Sequence, residues 1–329
     1  MLLAGIMLGS ISTPLAAWEV QPGSQTGKKE VPAITFKNLS PPYKHYDYFQ
    51  GAKKYGFQFD ATSFTLVNAW WLAEASTLVY ADEDFVRSRF RQAGLPEVKF
   101  FENQSTQCYV ANNDQFAIVA FRGSEIWKKK DKADLSAVVA DLKTNIDIWL
   151  TDWEQGGKVH RGFKEALDEV WPDLQPYIRK LQDQGRKIWI TGHSLGAALA
   201  TLCVGRYGDV QGVYTFGSPR VGNSAFKENL EAEIYRIVNN EDIVPRVPPP
   251  GLYVHVGELK FIDRNGIIRN EEDEMAQSVD EPPYDTPDWQ NDSQPNKNSV
   301  AGFIPAAFRD HVPFLYAIHL WNTIIESKQ

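Results

Sequence analysis

Two cysteines in 329 residues, Cys108 and Cys203, are too few for a disulfide framework or a four-thiolate zinc site. Cys203 falls in a predicted buried helix and Cys108 in a predicted strand, so two buried thiols are expected. Basic charge is also scarce. The net charge is -8, and Lys128-Lys129-Lys130 is the only tight basic run, which excludes a general nucleic-acid binder. Beyond the first residues no uninterrupted apolar run approaches the ~18 needed to cross a bilayer, so no transmembrane segment is expected in the mature chain. No His/Cys/Asp/Glu group has ligand spacing, and neither a metal nor a cofactor is expected.

What remains is a globular composition, 43% hydrophobic and 23% charged, without low-complexity bias. The length suits one large core, and residues 18–329 are read as a single α/β domain. Before it, Met1 to Ser10 is apolar and no charge occurs until Glu19. With small residues at Ala16 and Ala17, residues 1–17 read as a secretory signal peptide lacking the usual basic start. A secreted or periplasmic protein is expected; a native N-terminal helix on a cytoplasmic protein is the alternative.

Residues 18–60 read as an irregular wrap. Phe64 to Tyr80 has helical apolar spacing and no breaker, predicting an amphipathic helix. Val98–Phe101, Gln107–Ala111 and Phe116–Phe121 surround the turn signal Asn112-Asn113-Asp114 and predict hairpin strands. Glu125 to Ile148 predicts an amphipathic helix. Phe163 to Gln184 predicts another, broken or kinked by Pro172 and Pro176. Strands are predicted at Lys187–Thr191, Val210–Phe216 and Ile234–Val238, with a small-residue helix at Ala197–Arg206. This alternation indicates a largely parallel sheet flanked by helices. Residues 263–299 are acidic and proline-rich and read as a long exposed loop.

Gly192-His193-Ser194-Leu195-Gly196 fits G-x-S-x-G, three fixed positions that common residues could supply by chance. Its setting is more specific. A predicted strand runs into it and a predicted helix runs out, the strand–turn–helix that lifts a nucleophilic serine above a sheet. The helix N-terminus adds positive potential where an oxyanion would form. A serine hydroxyl needs a neighbouring imidazole to take its proton and an acid to orient that imidazole. In this fold class the chain order is Ser, acid, His. Of six histidines, order removes His45, His160 and His193 and leaves His255, His311 and His319. Asp242 follows a predicted strand and should lie at the C-terminal sheet edge, where open α/β sheets bind ligands. Glu241 is its rival, while Asp209 precedes a strand and should lie at the opposite edge.

Taken together these residues resemble the class 3 lipases, an α/β-hydrolase family, with matches spread over about 64–316. Phe121-Arg122-Gly123-Ser124 is similar to the family's oxyanion segment, and Lys158-Val159-His160-Arg161-Gly162-Phe163 to its V-H-x-G-F step. The elbow itself, Phe216-Gly217-Ser218-Pro219-Arg220-Val221-Gly222-Asn223, and Asp242-Ile243-Val244-Pro245 match further motifs in order. The resemblance implies Ser194 as nucleophile, Asp242 as acid and His311 as base, with Ser124 and Leu195 forming the oxyanion hole. His255 matches a non-catalytic position. His311-Val312-Pro313 departs from the commonest motif, so His319 stays as an alternative. The resemblance also implies a lid over about 125–140, with Leu135, Val138 and Val139 facing the pocket; an ordinary surface helix is the alternative.

The implied activity is carboxylic-ester hydrolysis through an acyl-enzyme, on acylglycerols or other fatty esters, with transient contact to a lipid interface. A phospholipase A1 or a short-chain carboxylesterase would share every residue named. A catalytically silent interaction module on the same fold is the alternative from another class.

Overall fold

The computed structural model describes residues 27–33, 35–39, 41–124, 149–270 and 306–328. The expected signal peptide, the helix and lid expected within 125–148, and most of the acidic stretch lie outside these residues.

The strands are β1 (Glu97–Asn103), β2 (Thr106–Asn112), β3 (Phe116–Phe121), β4 (Leu150–Asp152), β5 (Lys158–His160), β6 (Lys187–His193), β7 (Gly212–Phe216), β8 (Ile234–Asn239), β9 (Glu258–Ile262) and β10 (Ile268–Asn270). Eight of them form one sheet in the order β1-β2-β3-β6-β7-β8-β9-β10, while β4 and β5 make a separate hairpin. The run β3-β6-β7-β8-β9 is parallel, and β1, β2 and β10 are added antiparallel. Every residue of β3 and β7 is buried, as a parallel sheet covered on both faces requires. The expected turn before β3 forms because Asn113 Oδ1 accepts the N–H groups of Gln115 and Phe116.

The helices are α1 (Phe36–Leu39), α2 (Leu66–Leu78), α3 (Glu83–Gln92), α4 (Arg161–Asp183), α5 (Leu195–Tyr207), α6 (Ser224–Glu228), α7 (Ala306–Arg309) and α8 (Pro313–Glu326). Strand alternation divides the core. Ile118, Trp189, Tyr214 and Ile237 point to the face covered by α2, α8 and the wrap from Tyr43 to Phe57. Val119, Ile188, Ile190 and Val213 point to the face covered by α4 and α5.

Three expectations are corrected. Helix α2 is not amphipathic: Asn68 to Leu78 is buried on every side, because α8, the sheet and the wrap enclose it. Its one charge, Glu74, is therefore met by Lys29 Nζ at 3.1 Å, Tyr46 Oη at 2.9 Å and Trp70 Nε1 at 2.8 Å. Helix α4 runs unbroken through Pro172 and Pro176. Both prolines, one turn apart, lie on its exposed side, where the carbonyls they leave unbonded can meet water. Its other side buries Phe163, Leu167, Val170, Leu174, Ile178 and Leu181, which keeps it continuous. Finally, residues 263–270 are not open loop. Asp263 Oδ1 accepts the N–H groups of Asn265 and Ile267, turning β9 back into β10.

Candidate active site

Strand β6 lies between β3 and β7, and its C-terminal end delivers Ser194 above the middle of the sheet. Ser194 has φ 59° and ψ -127°, a conformation costing a side-chain-bearing residue ~1–3 kcal/mol. Two glycines make the turn possible. A Cβ on Gly192 would sit 2.1 Å from the Gly196 carbonyl oxygen, and one on Gly196 would sit 2.3 Å from that of Phe121. The chain thus passes from β6 into α5 at a separation that no larger residue permits. Leu195 opens α5, so its N–H belongs to the first turn, whose donors lack helical partners. Phe121 pairs with Gly192 across β3 and β6, which brings Ser124, three residues on, out at the same sheet edge.

Asp242 follows β8 and is almost fully buried. Its Oδ1 accepts the Val244 N–H at 2.9 Å. Its Oδ2 accepts the His311 Nδ1–H at 2.9 Å and the Tyr316 hydroxyl at 2.5 Å. His311, just before α8, then turns Nε2 to Ser194 Oγ at 2.9 Å. With Nδ1 carrying the proton given to Asp242, the bare Nε2 accepts from the serine hydroxyl. Serine, imidazole and carboxylate therefore stand in one hydrogen-bonded line, ready to remove the serine proton.

The alternatives lie elsewhere. Glu241 is exposed and its N–H donates to Asp310 Oδ2 at 3.2 Å. Asp209 accepts from Gln182 Nε2 at 2.9 Å, before β7. His319 sits further along α8 against Gly266, where a Cβ would stand 2.3 Å from its ring. His255 lies close to the charges of Arg236 and Arg220, and burial pushes its pKa well down.

Residues 118–252 match the family model described as Lipase (class 3). Over this segment the chain is similar to the class 3 lipases. A secreted mono- and diacylglycerol lipase of Fusarium solani is 34% identical over 131 residues, covering 34% of this chain and 39% of that protein. A lipase of Rhizomucor miehei is 37% identical over 193 residues, covering 51% of this chain and 50% of that one. The chain spans half or less of the length of these curated relatives. Among solved structures, the lipase of Rhizopus microsporus var. chinensis aligns at 26% identity and TM-score 0.46, covering 61% of this chain and 76% of that one.

The site holds further residues that sequence reasoning left without a role. Tyr316 donates to Asp242; burial and then the Asp242 charge push its pKa well up and keep the hydroxyl protonated. Its signal in the sequence was only its place five residues after His311. Gly217, at φ 55°, leaves the space the pair occupies, since a Cβ there would lie 2.6 Å from Asp242 Oδ2 and 3.0 Å from His311 Nδ1. His193, removed as a base by chain order, stacks beside His311 with ring centroids 4.4 Å apart. Cys108 and Cys203 are both free and buried. Among the described residues no group of three His, Cys, Asp or Glu side chains is placed to hold a metal ion.

Proposed function

We propose that this chain is a serine hydrolase of lipid carboxylic esters, with acylglycerols as its substrate class. The observation that carries the reading is the continuous line Ser194 Oγ–His311–Asp242, with both hydrogen bonds at 2.9 Å. His311 takes the proton of Ser194 as Oγ attacks the ester carbonyl, and Asp242 holds the imidazolium that forms. The negative oxygen then turns toward the Leu195 and Ser124 N–H groups at the head of α5 and the end of β3; one such donor is typically worth ~2.7–4 kcal/mol. His311 returns its proton to the departing alcohol, leaving an acyl group on Ser194. Water then enters by the same route and releases the fatty acid.

The family-model match supports the ester class, and the names of relatives such as the Fusarium solani mono- and diacylglycerol lipase support the acylglycerol. That relative is described as secreted, which with the uncharged start of the chain supports export and work at a lipid surface. The test is intact-mass labelling with an alkyl phosphonate together with hydrolysis of dioctanoylglycerol. The expected result is one adduct and turnover in the parent, with neither in Ser194→Ala. Labelling that survives the substitution overturns the assignment.

A further inference from the structure

A second run of hydrogen bonds crosses the site behind the reacting atoms. Tyr80 lies just past the end of α2, and its ring stands edge-on to His193 at 5.9 Å. Its hydroxyl meets His193 Nδ1 at 2.9 Å, and His193 Nε2 meets the backbone carbonyl of His311 at 2.7 Å. The direction of each bond follows from the partners. A carbonyl only accepts, so Nε2 carries the proton. Burial, followed by the neighbouring His311, pushes the His193 pKa well down, so the ring is neutral and Nδ1 is bare. Tyr80 must therefore donate to Nδ1. Its oxygen also lies against Gly123. A Cβ on Gly123 would lie 2.0 Å from that oxygen, so this residue is a glycine for reasons of contact. Arg122, one residue earlier, sets its guanidinium 5.8 Å from the Tyr80 ring centre.

The run is therefore Tyr80 O–H to His193 Nδ1 and His193 Nε2–H to the His311 carbonyl, with Gly123 packed against the Tyr80 oxygen. Its two ends are the residue before Ser124 and the residue that removes the proton, and its middle is the residue before Ser194. None of its hydrogen bonds involves Ser194 Oγ or His311 Nε2.

We propose that Tyr80 and His193 are positioning residues that tie the oxyanion strand end, the elbow and the base loop into one unit. This rests on the ester-hydrolase reading above. Bonds in such a run polarise one another, and all four groups are buried, so breaking one leaves a polar atom without a partner. A displacement of the oxyanion donors or the imidazole by a fraction of an ångström reduces turnover without changing what the pocket binds.

The experiment compares Tyr80→Phe, His193→Gln and His193→Leu with the parent and Ser194→Ala on soluble nitrophenyl butyrate. Phenylalanine keeps the ring and removes only the hydroxyl. Glutamine can accept from Tyr80 and donate to His311; leucine can do neither. The expected result is a roughly tenfold lower kcat with KM unchanged for Tyr80→Phe and His193→Leu. His193→Gln should stay within about threefold of the parent, and the Tyr80→Phe/His193→Leu double variant should be no worse than the weaker single one. A folded Tyr80→Phe with parental kcat overturns the positioning role alone, since the parent's Ser194-dependent turnover still stands. A parent without Ser194-dependent turnover overturns both. If Tyr80→Phe does not fold, equal rates for His193→Gln and His193→Leu overturn the proposal.

Discussion

The two faces of the sheet are built from different residues. On one, α2, α8 and the wrap contribute Trp70, Trp71, Trp321, Tyr43, Tyr55, Phe49 and Phe57 to a layer rich in aromatic residues. On the other, α5 contributes Ala198, Leu199, Ala200, Leu202, Cys203 and Val204, and α4 adds aliphatic residues. The reason lies at the elbow. Helix α5 must start within contact of β3 and β6, as Gly196 against the Phe121 carbonyl demonstrates, and only small side chains allow that approach. The aromatic face has no such restriction. Its helices send polar side chains to the site: His311 and Tyr316 from the start of α8, Tyr80 from the end of α2. One face thus brings close backbone to the elbow, and the other brings the imidazole and the tyrosine hydroxyls.

The comparison breaks hardest at His311. His311→Ala removes the proposed base from the aromatic side and should lower ester hydrolysis by ~10^4–10^6, with the melting curve little changed. Retained activity in that variant, lost instead in His319→Ala, would give the base to the other histidine. Next in size is a matched pair. Trp70→Ala, fully buried beside Glu74, should cost ~3–5 kcal/mol in urea unfolding. Gly196→Ala adds one methyl group and should cost ~1–3 kcal/mol, yet it should lose more activity than Trp70→Ala when both are assayed fully folded. The reverse order of activities would mean that the elbow tolerates movement and the division of labour is wrong.

That division also explains how much could be read in the sequence. The elbow side was legible because its requirements are local. Two glycines four residues apart, a strand before and a small-residue helix after all lie within residues 187–206. Asp242 was legible for the same reason, standing just past the end of β8. Tyr80 and Tyr316 were not, because their partners lie 113 and 74 residues away and an isolated tyrosine has no pattern. Helix α8, which presents His311, had no predicted boundary despite Pro313 in its first turn, a favoured helix-starting position. Helix α2 was found by its spacing but misjudged as half-exposed, since nothing local says that three layers will enclose it. The prolines of α4 were over-weighted because their lost bonds face water, while the apolar side they leave intact is buried along its length.

Tyr316→Phe gives a smaller effect. It removes the 2.5 Å donor to Asp242 and the acceptor of the Asn239 N–H at 3.2 Å. Hydrogen bonds to a charged group are worth ~1.5–3 kcal/mol, so kcat/KM should fall by about tenfold or somewhat more, with folding retained. An unchanged kcat/KM would show that Val244 and His311 alone hold the carboxylate.

The smallest effect is in the response to acid. His193, His255 and His319 all have folded pKa values pushed below the ordinary ~6.5, each first by burial. Below ~6.5 the unfolded chain takes up protons that the folded chain refuses, so the sign is fixed. Stability is fully present above that value and is lost as pH falls from it toward the depressed folded values. Thermal melts from pH 8 to 5 should therefore stay level and then decline below about pH 6.5, before the ordinary carboxylates titrate. Replacing one histidine at a time then separates the faces. His319 lies on α8, on the aromatic side, while His255 precedes Val256, which packs into the aliphatic core. His319→Gln and His255→Gln should each flatten the decline, because neither glutamine can be charged by protons. A decline equally steep in both variants would show that neither face carries the acid response, leaving it to His193 between Tyr80 and His311.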